Sequence, residues 1–172
     1  MGLDLFLEML EEEVARIKGE PAKQHAEPEM NIKVPAYIPE TYVLDSAMRL
    51  QYYKELSLCR KNEELQGVEE EMEDRFGPFP LEMETFFGVL RLKIVLMNLG
   101  AVRADLLPDR VIVIWVEGEN GLDIDALLAW ISARDFARLL PPGKLEVRFK
   151  QGVSPVEALS ELVSELGQLV LL

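Results

Sequence analysis

Glu73-Asp74-Arg75-Phe76-Gly77-Pro78-Phe79-Pro80 closes the most regular pattern in the chain and opens the next one. From Asn62 onward Leu65, Val68, Met72 and Phe76 recur at spacings of three and four, the period of one buried helical face. Gly77 can take the positive φ that closes a helix, and Pro78 cannot continue one. The pattern predicts a helix over 62–76 with a firm stop, and a new helix beginning after Pro80.

The charges at this stop oppose the helix dipole. Glu71, Glu73 and Asp74 sit near the C-terminal carbonyls, where a surface carboxylate is unfavourable by roughly 0.3–1 kcal/mol. Arg75 offsets part of this. Glu64, Glu71 and Asp74 share a stripe away from the apolar side chains, because residues three, four or seven apart stack along a helix. Two readings stand: a surface for a cationic partner, or a solvated face of an acidic protein.

Outward from this boundary the chain divides into segments. Residues 3–18 are patterned as an amphipathic helix, with Leu3, Phe6, Leu7, Leu10, Val14 and Ile17 on one side. Residues 19–30, with Pro21, Pro28 and His25, read as a linker. Asn31 to Val34 alternates as a strand that Pro35 and Pro39 restrict to a sheet edge or an extended arm. Helices are expected at 45–60, 62–76 and 80–98, the first capped by Asp45 or Ser46 and burying some of Met48, Leu50, Tyr52, Leu56 and Leu58. Tyr52 and Tyr53 differ in direction by about a hundred degrees, so at most one is expected fully inward. The third helix carries Phe86, Phe87, Leu90, Ile94, Val95 and Leu96 and reads as the centre of the core.

After Gly100 the pattern changes to strands. Strands are expected over 102–107 and 110–116 with a turn at Pro108-Asp109, the second apolar enough for a sheet interior. A helix follows over 124–134, with Asp123 or Asp125 near its start, then a short helix at 135–140. Leu145, Val147 and Phe149 alternate with Glu146, Arg148 and Lys150 as a strand with one wet face. Ser154 and Pro155 open the last helix as cap and first residue. The fold class is α+β: a helical N-terminal half packed with a small mixed or antiparallel sheet from the C-terminal half, plus an N-terminal extension helix. Residues 1–30 form that helix and its linker, and 31–172 the domain.

Composition narrows the chemistry. With 49% apolar and 28% charged residues the 172-residue chain has the makeup of a folded, soluble protein. Its formal charge of −13, with 31 acids against 18 bases, has the wrong sign for nucleic acid, and no run of Lys and Arg stands out. No apolar run approaches the ~20 residues of a membrane span. Cys59 is the single cysteine, which fits a reducing cytoplasm and a half-buried structural thiol. His25 is the single histidine, leaving a zinc site or a Ser-His-Asp triad without partners. No glycine-rich phosphate loop ending in Lys is present. Catalytic, cofactor and metal residues are therefore expected to be absent. Trp115 and Trp130 read as core, and Phe79, between prolines, as an exposed anchor. Arg49, Arg60, Lys61 and Arg75 read as partners of the abundant acids.

Four stretches carry a family resemblance: Gly2-Leu3-Asp4-Leu5-Phe6-Leu7-Glu8-Met9-Leu10-Glu11, Asn31-Ile32-Lys33-Val34-Pro35-Ala36-Tyr37-Ile38-Pro39, Arg49-Leu50-Gln51-Tyr52-Tyr53-Lys54 and Glu73 to Pro80. In this order, over most of residues 1–100, the chain resembles the C-terminal domain of bacterial transcription-repair coupling factors. Beyond residue 100 the likeness is one of layout. The resemblance implies a parent that is an ATP-dependent DNA translocase, using ATP and Mg in upstream domains, which releases RNA polymerase stalled at lesions and recruits UvrA for nucleotide excision repair. It implies for this domain a non-catalytic, autoinhibitory role, packed on the N-terminal UvrB-like module over the UvrA-binding surface. From their positions, Glu71 and Asp74 would face arginines of that module, with Glu64 and Phe79 as further contacts. The alternatives are a stand-alone adaptor for a basic peptide and a small carboxylate-dependent enzyme.

Overall fold

In the computed structural model, residues 27–116, 123–141 and 143–169 are described. The expected helix at 3–18 and His25 lie outside them. Among the described residues the chain runs β1 (Glu29–Ile32), α1 (Ser46–Ser57), α2 (Asn62–Phe76), α3 (Leu81–Asn98), β2 (Arg103–Leu106), β3 (Arg110–Ile114), α4 (Ile124–Ser132), β4 (Ala137–Leu140), β5 (Lys144–Arg148) and α5 (Pro155–Gly167). The strands form one mixed sheet in the order β1-β2-β3-β5-β4. This is the α+β architecture that the sequence pattern predicts.

Local chemistry sets the helix starts. Asp45 accepts the Ala47 N–H, Asp123 the Ala126 N–H and Ser154 the Glu157 N–H, with Pro155 at the first helical position of α5. Helix α3 is apolar almost all round, as expected of a core helix, and packs closely against α5. Gly88 permits that approach: a Cβ there would lie 3.2 Å from Leu159 Cδ1 and 3.3 Å from its Cβ. One face of the sheet, including Ile32, Leu106, Val111, Val113, Leu145 and Val147, joins the same core. Strand β1 lies at the sheet edge, parallel to β2, so the chain must cross over between them, and α1–α3 supply the crossover.

Several expectations need correction. The first strand starts at Glu29, two residues before the expected one, and adds an N-terminal element to a sheet expected from the C-terminal half. The expected linker of 19–30 therefore ends inside the fold, since Glu27 is paired with Arg60 at 2.7 Å and with the buried Lys93 at 2.9 Å. The boundary drawn between residues 30 and 31 falls within β1. Residues 137–140 form strand β4, where a short helix was expected. Ala137 to Leu140 lacks β-branched residues, and it is the antiparallel pairing with Leu145 and Val147 that holds it extended.

Tyr52 and Tyr53 are both buried. Helix α1 is enclosed from two sides, so its buried arc is wider than a single contact allows: Tyr52 meets Phe76 of α2, and Tyr53 meets Phe86 of α3 while its hydroxyl accepts the Ile38 N–H. Leu50 and Leu58, by contrast, are exposed. Glu146, assigned to a wet face, is buried beneath three arginines. A guanidinium bond from Arg138 holds its carboxyl below the ordinary range, although burial pushes the other way.

Gly88→Leu would drive a branched side chain into Leu159 across the α3–α5 contact. Overpacking of this kind costs about 1–3 kcal/mol. Urea unfolding should show that loss as a lower midpoint with an unchanged slope.

Candidate functional site

Helix α2 presents the acidic surface. Leu65, Val68 and Met72 are buried, and Glu64, Glu71, Glu73 and Asp74 are exposed on the rest of the helix. Ten residues separate Glu64 from Asp74, so the stripe is about 15 Å long. Other acids of the helix are engaged within the fold: Glu69 is paired with Arg91 of α3, and Glu70 accepts a hydrogen bond from Gln66. Among the described residues no ion pair or hydrogen bond engages the side chains of Glu64, Glu71 or Asp74.

Arg75 does not neutralise them. Its Nη1 donates to the Tyr52 hydroxyl at 3.2 Å, and its guanidinium lies 5.4 Å from the centre of the Phe76 ring. The nearest cation in sequence is thus turned toward aromatic groups. Arg49 is likewise spent on the Val43 and Leu44 carbonyls, and of the four scattered bases Arg60 is the one seen on an acid.

The end of α2 is held firmly. Gly77 has a φ of 94°, in the region that favours glycine, and its N–H donates to Glu73 O at 2.8 Å. The Tyr42 hydroxyl lies 2.6 Å from Gly77 O and 3.2 Å from Met72 O, so its single proton is shared between the carbonyl just past the helix and one in its last turns, chiefly the former. Burial first, and the nearby Glu73 carboxylate second, push the Tyr42 phenol up to about 12.

Phe79 is not the free anchor expected of it. Its ring is half-buried, 5.9 Å from Tyr42 and 5.1 Å from Phe87. It belongs to a run of ring contacts, Tyr52–Phe76–Tyr42–Phe79–Phe87–Phe86–Tyr53, that joins α1, α2 and α3. Glu64, Glu71 and Asp74 therefore share one surface, while Phe79 supports the end of it from within.

Other singled-out residues are structural. Cys59 is half-buried, its thiol pushed up to about 11 by burial and then by Glu64 and Glu55, so it stays protonated at neutral pH. Trp115 is buried and donates to Leu99 O at 2.9 Å. Trp130 is buried with the Arg134 guanidinium 4.4 Å from its ring centre. No helix among the described residues is long and apolar enough to cross a membrane.

A family model described as the TRCF domain matches residues 32–126, which include α1, α2 and α3 and hence the acidic stripe. The chain belongs to the TRCF domain family. It is 32% identical over 171 residues to the transcription-repair-coupling factor of Myxococcus xanthus, a match covering 98% of this chain and 14% of that protein. With the protein of the same name from Bacillus subtilis (strain 168) it shares 38% identity over 95 residues, 55% of this chain and 8% of the relative. The chain thus spans a small part of the relatives' length. A solved structure titled as the C-terminal domain of transcription-repair coupling factor superposes with a TM-score of 0.63 at 16% identity, covering 83% of this chain and 94% of that one, which shows a common fold.

The Tyr42 clamp had no signal in the sequence, since a tyrosine between two prolines and a helix cap can serve many ends. Tyr42→Phe removes the hydroxyl and keeps the ring contacts. It should cost about 1 kcal/mol of stability in urea unfolding at neutral pH. A phenol raised in the folded state contributes stability that is whole below its ordinary value of 10 and is lost as pH rises toward 12. The gap between parent and variant should therefore narrow across that window.

Proposed function

We propose that this TRCF domain acts as the regulatory C-terminal domain of a transcription-repair coupling factor, without chemistry of its own, and that the α2 stripe is its gripping surface. On this reading Glu71 and Asp74, with Glu64 behind them, meet basic groups of the N-terminal UvrB-like module of the same protein. The contact covers the UvrA-binding surface and restrains the upstream ATP-driven motor until RNA polymerase is engaged. The observation that carries the proposal is the unneutralised state of Glu71 and Asp74 toward a helix C-terminus. They sit where the dipole disfavours them, on a helix whose end is fixed by Tyr42, and the one nearby arginine is turned toward aromatic rings; Glu64, in the first turn, extends the stripe. Family membership supports this reading, since the relatives are transcription-repair-coupling factors of which this chain matches a small part.

A contact of this kind has to be releasable. Exposed ion pairs contribute about 0.2–1 kcal/mol each, so a few of them give a modest clamp that a competing partner can displace. They also loosen as salt rises, because the screening length falls to about 8 Å at physiological ionic strength.

The test is Glu71→Lys combined with Asp74→Lys. Both positions are exposed, so the isolated domain should unfold at the parent's urea midpoint. Capture of the separate N-terminal module by this domain should fall by about tenfold, a loss of ~1.4 kcal/mol, and the parent's capture should decline across a salt series. In the full-length protein the pair should raise basal ATP hydrolysis or UvrA binding. Unchanged capture together with unchanged basal activity would show that the stripe grips something else, a basic peptide of another protein being the remaining reading.

A further inference from the structure

A second surface of opposite sign lies on the outer face of the sheet. Strand alternation points Glu29, Arg103, Asp105, Arg110, Arg138, Lys144, Glu146 and Arg148 away from the apolar core. These are five cations against three carboxylates, on a chain whose formal charge is −13.

The centre of this face is ordered. Glu146 Oε1 accepts from Arg138 Nε at 2.8 Å and from Arg148 Nε at 3.3 Å, and Oε2 from Arg110 Nη1 at 3.4 Å. The carboxylate is only 4% exposed, whereas Arg138 and Arg148 are 57% and 59% exposed. One carboxylate thus fixes three guanidinium groups that still face solvent. Arg110 also lies 3.9 Å from the exposed Asp109 and its Nε is buried, so the donors left for a ligand are mainly those of Arg138 and Arg148, each with five N–H groups of which the Nε one is used on Glu146.

Stability alone does not account for the arrangement. Arg110 and Arg148 are direct cross-strand partners, and like charges so placed are destabilising. A single arginine would satisfy the charge of Glu146. The surplus fits a surface kept for an anion.

We propose that this outer face, centred on Arg110, Arg138 and Arg148 around Glu146, docks an acidic, extended segment of a partner protein. Guanidinium forks match carboxylates bidentately, and the cluster is short enough for a few successive acidic side chains. A polynucleotide would run beyond it onto a chain that is negative overall, where the field is repulsive. Strand β4 ends the sheet beside the cluster and offers an extended segment backbone pairing along its edge. This surface is separate from the α2 stripe and stands or falls apart from it.

Fluorescence anisotropy on the full chain at low salt tests the inference, with a labelled glutamate-rich peptide, its glutamine counterpart and a labelled oligothymidylate as probes. The glutamate peptide should bind about tenfold more tightly than the glutamine one, and Arg138→Ser with Arg148→Ser should remove that preference. The Glu71→Lys, Asp74→Lys pair should leave it intact or strengthen it, which separates this surface from the α2 stripe. Should the serine pair fail to fold by circular dichroism, Arg138→Lys with Arg148→Lys keeps the charge and removes the fork, and should weaken the peptide about threefold. Equal binding of both peptides, tighter binding of the oligothymidylate, or an unaltered preference in the folded variants would overturn the proposal.

Discussion

The burial of α3 sets the terms for everything around it. Thirteen of its eighteen residues are buried, so the helix has almost no solvent side on which to place a charge. Lys93 is nevertheless among them, and an isolated buried ammonium costs several kcal/mol. Glu27 meets that ammonium with one carboxylate oxygen and Arg60 with the other. The segment before β1 is thereby drawn across the α1–α2 junction, and β1 is delivered to the sheet edge beside β2. One enclosed cation thus ties the N-terminal approach of the chain to the core helix.

Which features could be read from the sequence follows from the range of the interactions that make them. Helix α1 declares itself through its Asp45 cap, α2 through its three- and four-residue spacing and α3 through its largely apolar run, and the Gly77-Pro78 stop needs only its neighbours to be recognised. Strand β4 is different: Ala137, Arg138, Leu139 and Leu140 have no strong local preference, and a partner strand decides their state. Tyr52 and Tyr53 are misjudged for a related reason, since a helical wheel counts one buried side and α1 has two. Phe79 shows the same limit, because flanking prolines reveal a break in the helix but not the rings of Tyr42 and Phe87 that wait for it.

The arginine cluster is the extreme case. Arg110, Arg138 and Arg148 are scattered along 39 positions, counted inclusively, and no composition window gathers them. Only the antiparallel registers Arg110 with Arg148 and Arg138 with Glu146 bring them onto one carboxylate. The acidic stripe could be read because a helix displays its own spacing. A sheet displays spacing only after its strands have been ordered, so charge on a sheet face stays hidden from a linear reading.

Rigidity gives the α2 stripe its usefulness under the proposed role. A weak clamp made of exposed ion pairs loses much of its value if the side chains, or the helix beneath them, must first be ordered, since fixing each backbone residue costs about 1–2 kcal/mol. Here the backbone is already fixed: Tyr42 bonds the Gly77 carbonyl at the stop, Phe79 and Phe76 pack against its ring, and Glu69 binds the helix to Arg91 of α3. The carboxylates can then act with their small Coulomb energy largely intact. Arg75 would have offset that energy had it turned outward, and its bond to the Tyr52 hydroxyl keeps it within the aromatic run. The same contacts that stop the helix therefore leave its negative end available.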